Sequence, residues 1–369
     1  MRKEKTKHKL LNAKHSRGIT LVALIITIIV LLILAVVSIG AIKNSKIISH
    51  SQNAADEWKQ AQENEASLLA GYEALLNEQM DIGPWEIQTD GETIKNGKTG
   101  ETKTIGGTFT NDEVIEATGG TKSTYTGTWT ILGVEKGKLK LVTTANAGGN
   151  VTLGKNDPKA PAYSDLEEIF DKAGETTSKD VEKAIWSYQH AEETLNNYAK
   201  ERTGIASAIS ITIEDIEEIL DITEAKKVEL NSNYGRTYRY FYDTASSKVK
   251  SEYKSAGSDT YTGTNTTSYT SEVFVDKQGN AKVVDSEGDE IELDFNYYQY
   301  SNAFTNSNFA SSLGTGYYWL ASPCVYCSTN YASFYVRYVF SGSISNTYLF
   351  RSGGATYSDS FGVRAVVYI

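Results

Sequence analysis

The run ITLVALIITIIVLLILAVVSIGAI, from Ile19 to Ile42, holds 24 residues without a single charge. Wound as a helix at 1.5 Å per residue, it reaches about 36 Å, enough to cross a hydrocarbon core of about 30 Å. Ahead of it, residues 1–18 carry seven Lys or Arg (Arg2, Lys3, Lys5, Lys7, Lys9, Lys14, Arg17) against Glu4 alone. Basic flanks stay on the cytoplasmic side, so residues beyond Lys43 are expected outside the membrane. The run is too long for the apolar core of a secretory signal. It also lacks the polar stripe of a helix packed in a soluble protein. A single-pass chain with a cytoplasmic N-terminus and an extracellular head is the expected arrangement.

From Lys43 to Met80 there is no Pro and one Gly, and Ile47, Trp58, Ala61, Leu68, Tyr72 and Leu75 recur at intervals of three and four. That spacing predicts a helix continuing outward until Gly83-Pro84 ends it, a rod of about 90 Å from Ile19. A coiled-coil stalk has the same pattern. The junction Ser16-Arg17-Gly18-Ile19-Thr20-Leu21-Val22, a basic leader ending in Gly before an apolar helix, resembles the processing signal of type IV pilins and pseudopilins. The resemblance covers residues 1–45. It implies cleavage after Gly18 by a prepilin peptidase, methylation of Ile19, residence in the lipid bilayer, and assembly with other pilins or pseudopilins. That family usually places Glu at the fifth mature position, where this chain has Ala23. A lone acid in hydrocarbon is costly unless paired, so its absence eases membrane residence and weakens docking between subunits. This departure suits a minor subunit, and it also suits a membrane-anchored receptor or adhesin that never enters a filament.

The chain has 369 residues and a net charge of −10. Without the leader it carries 29 Lys or Arg against 45 Asp or Glu. Such an acidic surface offers nothing to a phosphate backbone, which argues against nucleic-acid binding. Residues 83–300 read as the scaffold of the head. Two alternating runs, Thr128–Val134 and Lys138–Val142, flank Glu135-Lys136-Gly137 and predict a hairpin. Helices are expected over Tyr163–Ala173, from Lys179 to Arg202, and from Thr212, where Asp215 completes a capping pair. Further hairpins are expected around Asp276–Asn280 and at Ser286–Asp289. The acidic Asp285–Glu290 stretch lacks the ligand spacing of a calcium loop.

Residues 301–369 differ in kind. After Gln299 there is no Lys, Glu, Gln, Met or His, and the charges are Arg337, Arg351, Arg364 and Asp359. Strands buried in a β-domain avoid long charged side chains. Stretches such as Ser341–Tyr348 and Arg351–Ser360 are nevertheless polar, and read as surface loops in which Tyr gives rigid contact area and Ser, Gly and Asn adapt their hydrogen bonds. Tyr317-Tyr318-Trp319-Leu320-Ala321-Ser322-Pro323, Ala332–Val339 and the closing Phe361-Gly362-Val363-Arg364-Ala365-Val366-Val367 resemble the end of C-type-lectin-like, formylglycine-generating-enzyme-like domains of bacterial surface proteins. Some of those are receptors diversified by a retroelement. The resemblance implies Trp319, Val336 and Val363 in the core and Arg364 as a structural donor. Candidate ligand contacts are Asn330, Tyr331, Tyr335, Tyr338, Asn346, Tyr348, Tyr357 and Asp359, for an unknown protein or glycan.

Catalysis has little to build on. Beyond the leader the histidines are His50, at the membrane boundary, and His190, read as a solvated helix position. A triad or a His-based zinc site is therefore not expected. Cys324-Val325-Tyr326-Cys327 lacks the partner pair of a zinc site and reads as a local disulfide or two free thiols. The sequence thus predicts an α+β protein without cofactor or metal: a long N-terminal transmembrane-to-exposed helix over residues 19–82, then a mixed head ending in a lectin-like β-rich part. Its expected role is a filament-borne or membrane-anchored head that binds a surface ligand.

Overall fold

The computed structural model describes residues 84–369, apart from 163–165, 167–178, 268–270, 287, 289 and 305–309. The chain divides into two units, residues 1–80 and 81–369. The helix expected over 19–82, with Gly18 and Ile19, lies outside the described residues, as does most of the helix expected over 163–173. Among the described residues no helix is long and apolar enough to cross a membrane.

The α+β expectation is corrected: the described body is predominantly β, with 40% strand, 20% helix and six helices. In chain order it runs β1 (Trp85–Ile87), β2 (Thr93–Asn96), β3 (Thr102–Thr104), β4 (Thr108–Thr110), α1 (Asn111–Thr118), β5 (Thr128–Glu135), β6 (Lys138–Thr143) and β7 (Val151–Gly154). Then come α2 (Lys179–Gln189), α3 (Ala191–Thr203), β8 (Ile209–Ser210), α4 (Ile213–Leu220), α5 (Glu224–Leu230), β9 (Thr237–Asp243) and β10 (Lys248–Lys254). They are followed by β11 (Thr262–Thr266), β12 (Glu272–Val275), β13 (Ala281–Val284), β14 (Ile291–Asp294) and α6 (Ala310–Leu313). The chain ends with β15 (Tyr317–Cys327), β16 (Ala332–Phe340), β17 (Ser343–Arg351), β18 (Ser358–Val363) and β19 (Ala365–Tyr368).

Two five-stranded sheets organise this body, in the orders β4-β5-β6-β19-β8 and β17-β16-β15-β18-β7. The β5–β6 hairpin closes through Lys136 and Gly137, whose φ values of 48° and 73° give the primed turn that matches strand twist. Elsewhere α4 starts with the predicted capping box, Thr212 receiving the Asp215 N–H and Asp215 the Thr212 N–H. The helix expected from Lys179 to Arg202 is two helices, broken at His190. Hairpin β12–β13 forms as expected. The hairpin expected around Ser286–Asp289 is corrected: β14 pairs with β9 rather than with β13.

The last strands explain the missing charges. β18 inserts between β15 and β7, while β19, one residue later, inserts between β6 and β8 of the other sheet. Side chains alternate faces along a strand, and here successive residues enter two different apolar cores. Trp319 joins Trp129, Leu195 and Phe334, whereas its neighbours Tyr318 and Leu320 join Ile216, Tyr298 and Val339. Likewise Ala365 and Val367 face the first core and Val366 the second. A strand buried on both faces has no place for Lys or Glu. The Ser341–Tyr348 stretch is accordingly mostly strand rather than loop: Ile344, Leu349 and Phe350 are buried along β17. Trp319, Val336 and Val363 are fully buried.

A buried acid ties hairpin β12–β13 to β17. Glu272 is 1% exposed, and its carboxylate accepts a 2.8 Å hydrogen bond from Ser352 Oγ, which itself accepts the Ala332 N–H. Burial pushes Glu272 up from the ordinary 4.5 to about 7. Between those values the folded chain holds a proton that the unfolded chain has lost, so stability falls as pH rises through this window. We predict a loss of about 3 kcal/mol in unfolding free energy between about pH 5 and pH 8 from this group. Urea titrations should show Glu272→Gln flattening that decline; parallel profiles for the two proteins would refute the assignment.

Candidate binding surface

Antiparallel pairing sets Tyr335 of β16 opposite Tyr348 of β17. The two rings lie 6.0 Å apart, edge to face. On the other side of Tyr335, Tyr297, just beyond β14, approaches to 4.9 Å, and Tyr326 of β15 lies 5.4 Å from Tyr297. Tyr331, from the turn between β15 and β16, stacks near Tyr326 at 6.3 Å. Arg351, the last residue of β17, closes the circuit. Its guanidinium carbon sits 4.9 Å from the Tyr331 ring centre and 4.8 Å from that of Tyr348. Five tyrosines and one arginine therefore form a continuous ring of half-buried side chains. Tyr357, 46% exposed, extends it from Tyr348 at 5.7 Å.

Electrostatically the ring is a cation held by π faces without a carboxylate beside it. Arg351 forms no ion pair among the described residues, and its buried Nε has no hydrogen-bond partner there. Cation–π contacts of this kind strengthen as water is removed. Burial pushes Tyr297 up to about 12 and also raises Tyr335. Those phenols stay protonated and can donate as well as accept.

The predicted contacts divide. Tyr331, Tyr335 and Tyr348 belong to the ring, Tyr357 adjoins it, and Asn330 is exposed in the Tyr331 turn. Tyr338 belongs elsewhere. It stacks on Phe361 at 4.4 Å, in a second aromatic group with Trp319 that reaches the surface at Tyr317 and Phe340. Asp359 lies on β18 opposite Leu153 and touches neither group by any described contact. Asn346 is corrected from an exposed contact to a buried one. Its amide donates to the Tyr298 carbonyl at 2.6 Å and its Oδ1 accepts from the Cys324 thiol at 3.3 Å. Sequence reasoning did not single out Tyr297, Tyr326 or Arg351.

The disulfide alternative for Cys324 and Cys327 is also corrected. Both cysteines are free and buried within β15, where positions three apart point to opposite faces. Arg337 and Arg364 are internal fasteners. Arg337 donates to the carbonyls of Asn296, Ser322 and Pro323, and Arg364 to those of Ser312 and Thr315.

No protein family, curated protein or solved structure matches this chain. The chemistry of the surface therefore rests on its geometry. Among the described residues no three His, Cys, Asp or Glu gather in a way that could hold a metal ion. Burial pushes the Cys324 thiol up to about 11 and Cys327 higher still, the reverse of an activated nucleophile.

Thiol labelling tests this placement. The native protein at about pH 8 should take up no iodoacetamide within an hour, and two equivalents per chain in denaturant, by intact mass. A disulfide would block labelling in both states, and exposed thiols would react in both.

Proposed function

We propose that this protein is a surface-displayed binding head, with the tyrosine ring around Arg351 as its contact surface. The closed ring is the observation that carries the reading. Tyr and Arg are enriched at the energetically important centres of protein interfaces, Tyr because it brings large area with few rotatable bonds and Arg because its planar guanidinium stacks on rings and offers a fork of donors. Arg351 lies between two rings with no acid beside it, so the ring suits a protein partner that brings a carboxylate and apolar edges. A catalytic role has no support in thiols this deeply buried.

Tethering is supported by sequence: the basic leader, Gly18-Ile19 and the uncharged segment 19–42. In this reading a prepilin peptidase cuts after Gly18, and the head is carried as a minor pilin- or pseudopilin-like subunit of a type IV pilus or type II secretion-like filament. Ala23 in place of the usual acid favours a second reading, a membrane-anchored receptor outside any filament. The mature N-terminus separates the two, since methylated Ile19 marks the processed subunit and an intact Met1 marks the anchored receptor.

Combining Tyr331→Ser, Tyr348→Ser and Arg351→Ala should lower attachment of expressing cells to protein-coated surfaces about tenfold, with surface display and the thermal midpoint preserved. A stable, displayed variant that attaches like the parent would overturn the assignment of the surface.

A further inference from the structure

A second concavity, sharing no residue with the tyrosine ring, opens where α2 meets α3. Its volume is about 400 Å³, in the range of small-molecule sites. One wall is aromatic: His190, at the break between the helices, stacks on Trp186 with ring centres 4.3 Å apart and planes 15° from parallel. His190 was expected as a solvated helix position; it is half-buried and part of this wall. Its Nδ1 lies 2.9 Å from the Trp186 carbonyl, which can only accept, so Nδ1 carries the hydrogen. In the neutral ring Nε2 is then an acceptor.

Along α3 the exposed Glu193, Asn197 and Glu201 follow one another at four-residue spacing, which aligns them on the face that lines the cavity. None of these three side chains has a hydrogen-bond or ion-pair partner among the described residues. Opposite stands the segment after β7. There the buried Asp157 accepts from Ser187 Oγ at 2.6 Å and from the Lys159 N–H at 2.8 Å, while Ser187 Oγ accepts the Gly154 N–H at 2.8 Å. These bonds fix that wall to α2.

We propose that this cavity binds a pyranose saccharide, neutral or amine-bearing but not acidic. The C–H face of a sugar ring is apolar and packs against an aromatic wall, while its hydroxyls need partners around the edge. Among the charged groups of the lining acceptors prevail, the Glu193, Glu201 and Asp157 carboxylates against the Lys159 ammonium, while neutral donors such as the Asn197 amide and the Thr194 hydroxyl stand beside them. Such a lining asks its ligand for donors, which hydroxyls and ammonium groups supply. Three carboxylates against one ammonium repel an acidic sugar.

Titration calorimetry on the purified full-length protein tests this with four probes: an N-acetylglucosamine trimer, a glucosamine trimer, a galacturonic acid trimer and trilysine. At least one of the two glucosamine-type trimers should bind and the galacturonic acid trimer should not. Trp186→Ala should weaken binding about tenfold or more. So should the paired Glu193→Ala and Asn197→Ala, whose exposed positions leave the fold intact and keep the test valid if Trp186→Ala fails to fold. The proposal fails if neither glucosamine-type trimer binds, or if the acidic trimer binds as well as they do. It fails also if trilysine binds equally and Trp186→Ala leaves that binding unchanged, because simple charge attraction then accounts for the site.

Discussion

Burial of strands on both faces is the constraint on which the rest depends. β15, β16 and β19 separate two apolar cores, so most of the side chains they carry are taken out of water. The consecutive strands β18 and β19 bind the sheets to each other by lying in one apiece. Backbone bonds around that crossing reinforce it: Ala147 donates to the Val363 carbonyl at 2.8 Å, and Ile211 to that of Arg364 at 2.9 Å. A charge introduced along these strands would lose its hydration with nothing to replace it. The three arginines of the C-terminal region lie over tyrosine rings, Arg337 and Arg364 also donating to backbone carbonyls.

Part of this was legible from residue order, where the decisive contacts are local. Gly137 marks the β5–β6 turn, Thr212 and Asp215 mark the start of α4, and the depleted charge after Gln299 marks strands that are largely buried. Non-local pairing was not legible. Nothing in Ser286–Glu290 says that β14 will leave β13 and pair with β9. Nor does the polar look of Ser343–Arg351 reveal a strand, because Asn346 is polar for an internal reason, bridging Cys324 and the Tyr298 backbone. The helix break at His190 is equally hidden, since Val181, Ala184, Ile185, Ala191 and Leu195 keep an apolar spacing compatible with one helix.

The tyrosine ring shows the same division. Composition pointed to tyrosines, and Tyr331, Tyr335 and Tyr348 do meet. Tyr335 and Tyr338 are three apart on one strand and therefore part company, a consequence of two-residue alternation. Tyr297 enters from another sheet's edge, and Arg351 is recruited by its position at the end of β17, placements that only the tertiary fold supplies.

The position of β19 has a consequence for how the molecule comes into being. Leu139 and Ile369 exchange backbone hydrogen bonds at 2.9 and 3.0 Å, so the final residues of this sequence line up with a hairpin synthesised more than two hundred positions earlier. Neither five-stranded sheet is continuous until residues 358–368 arrive. A nascent chain would therefore stay open and protease-sensitive over the whole body until residues 358–368 have been made, and the two sheets would then close together.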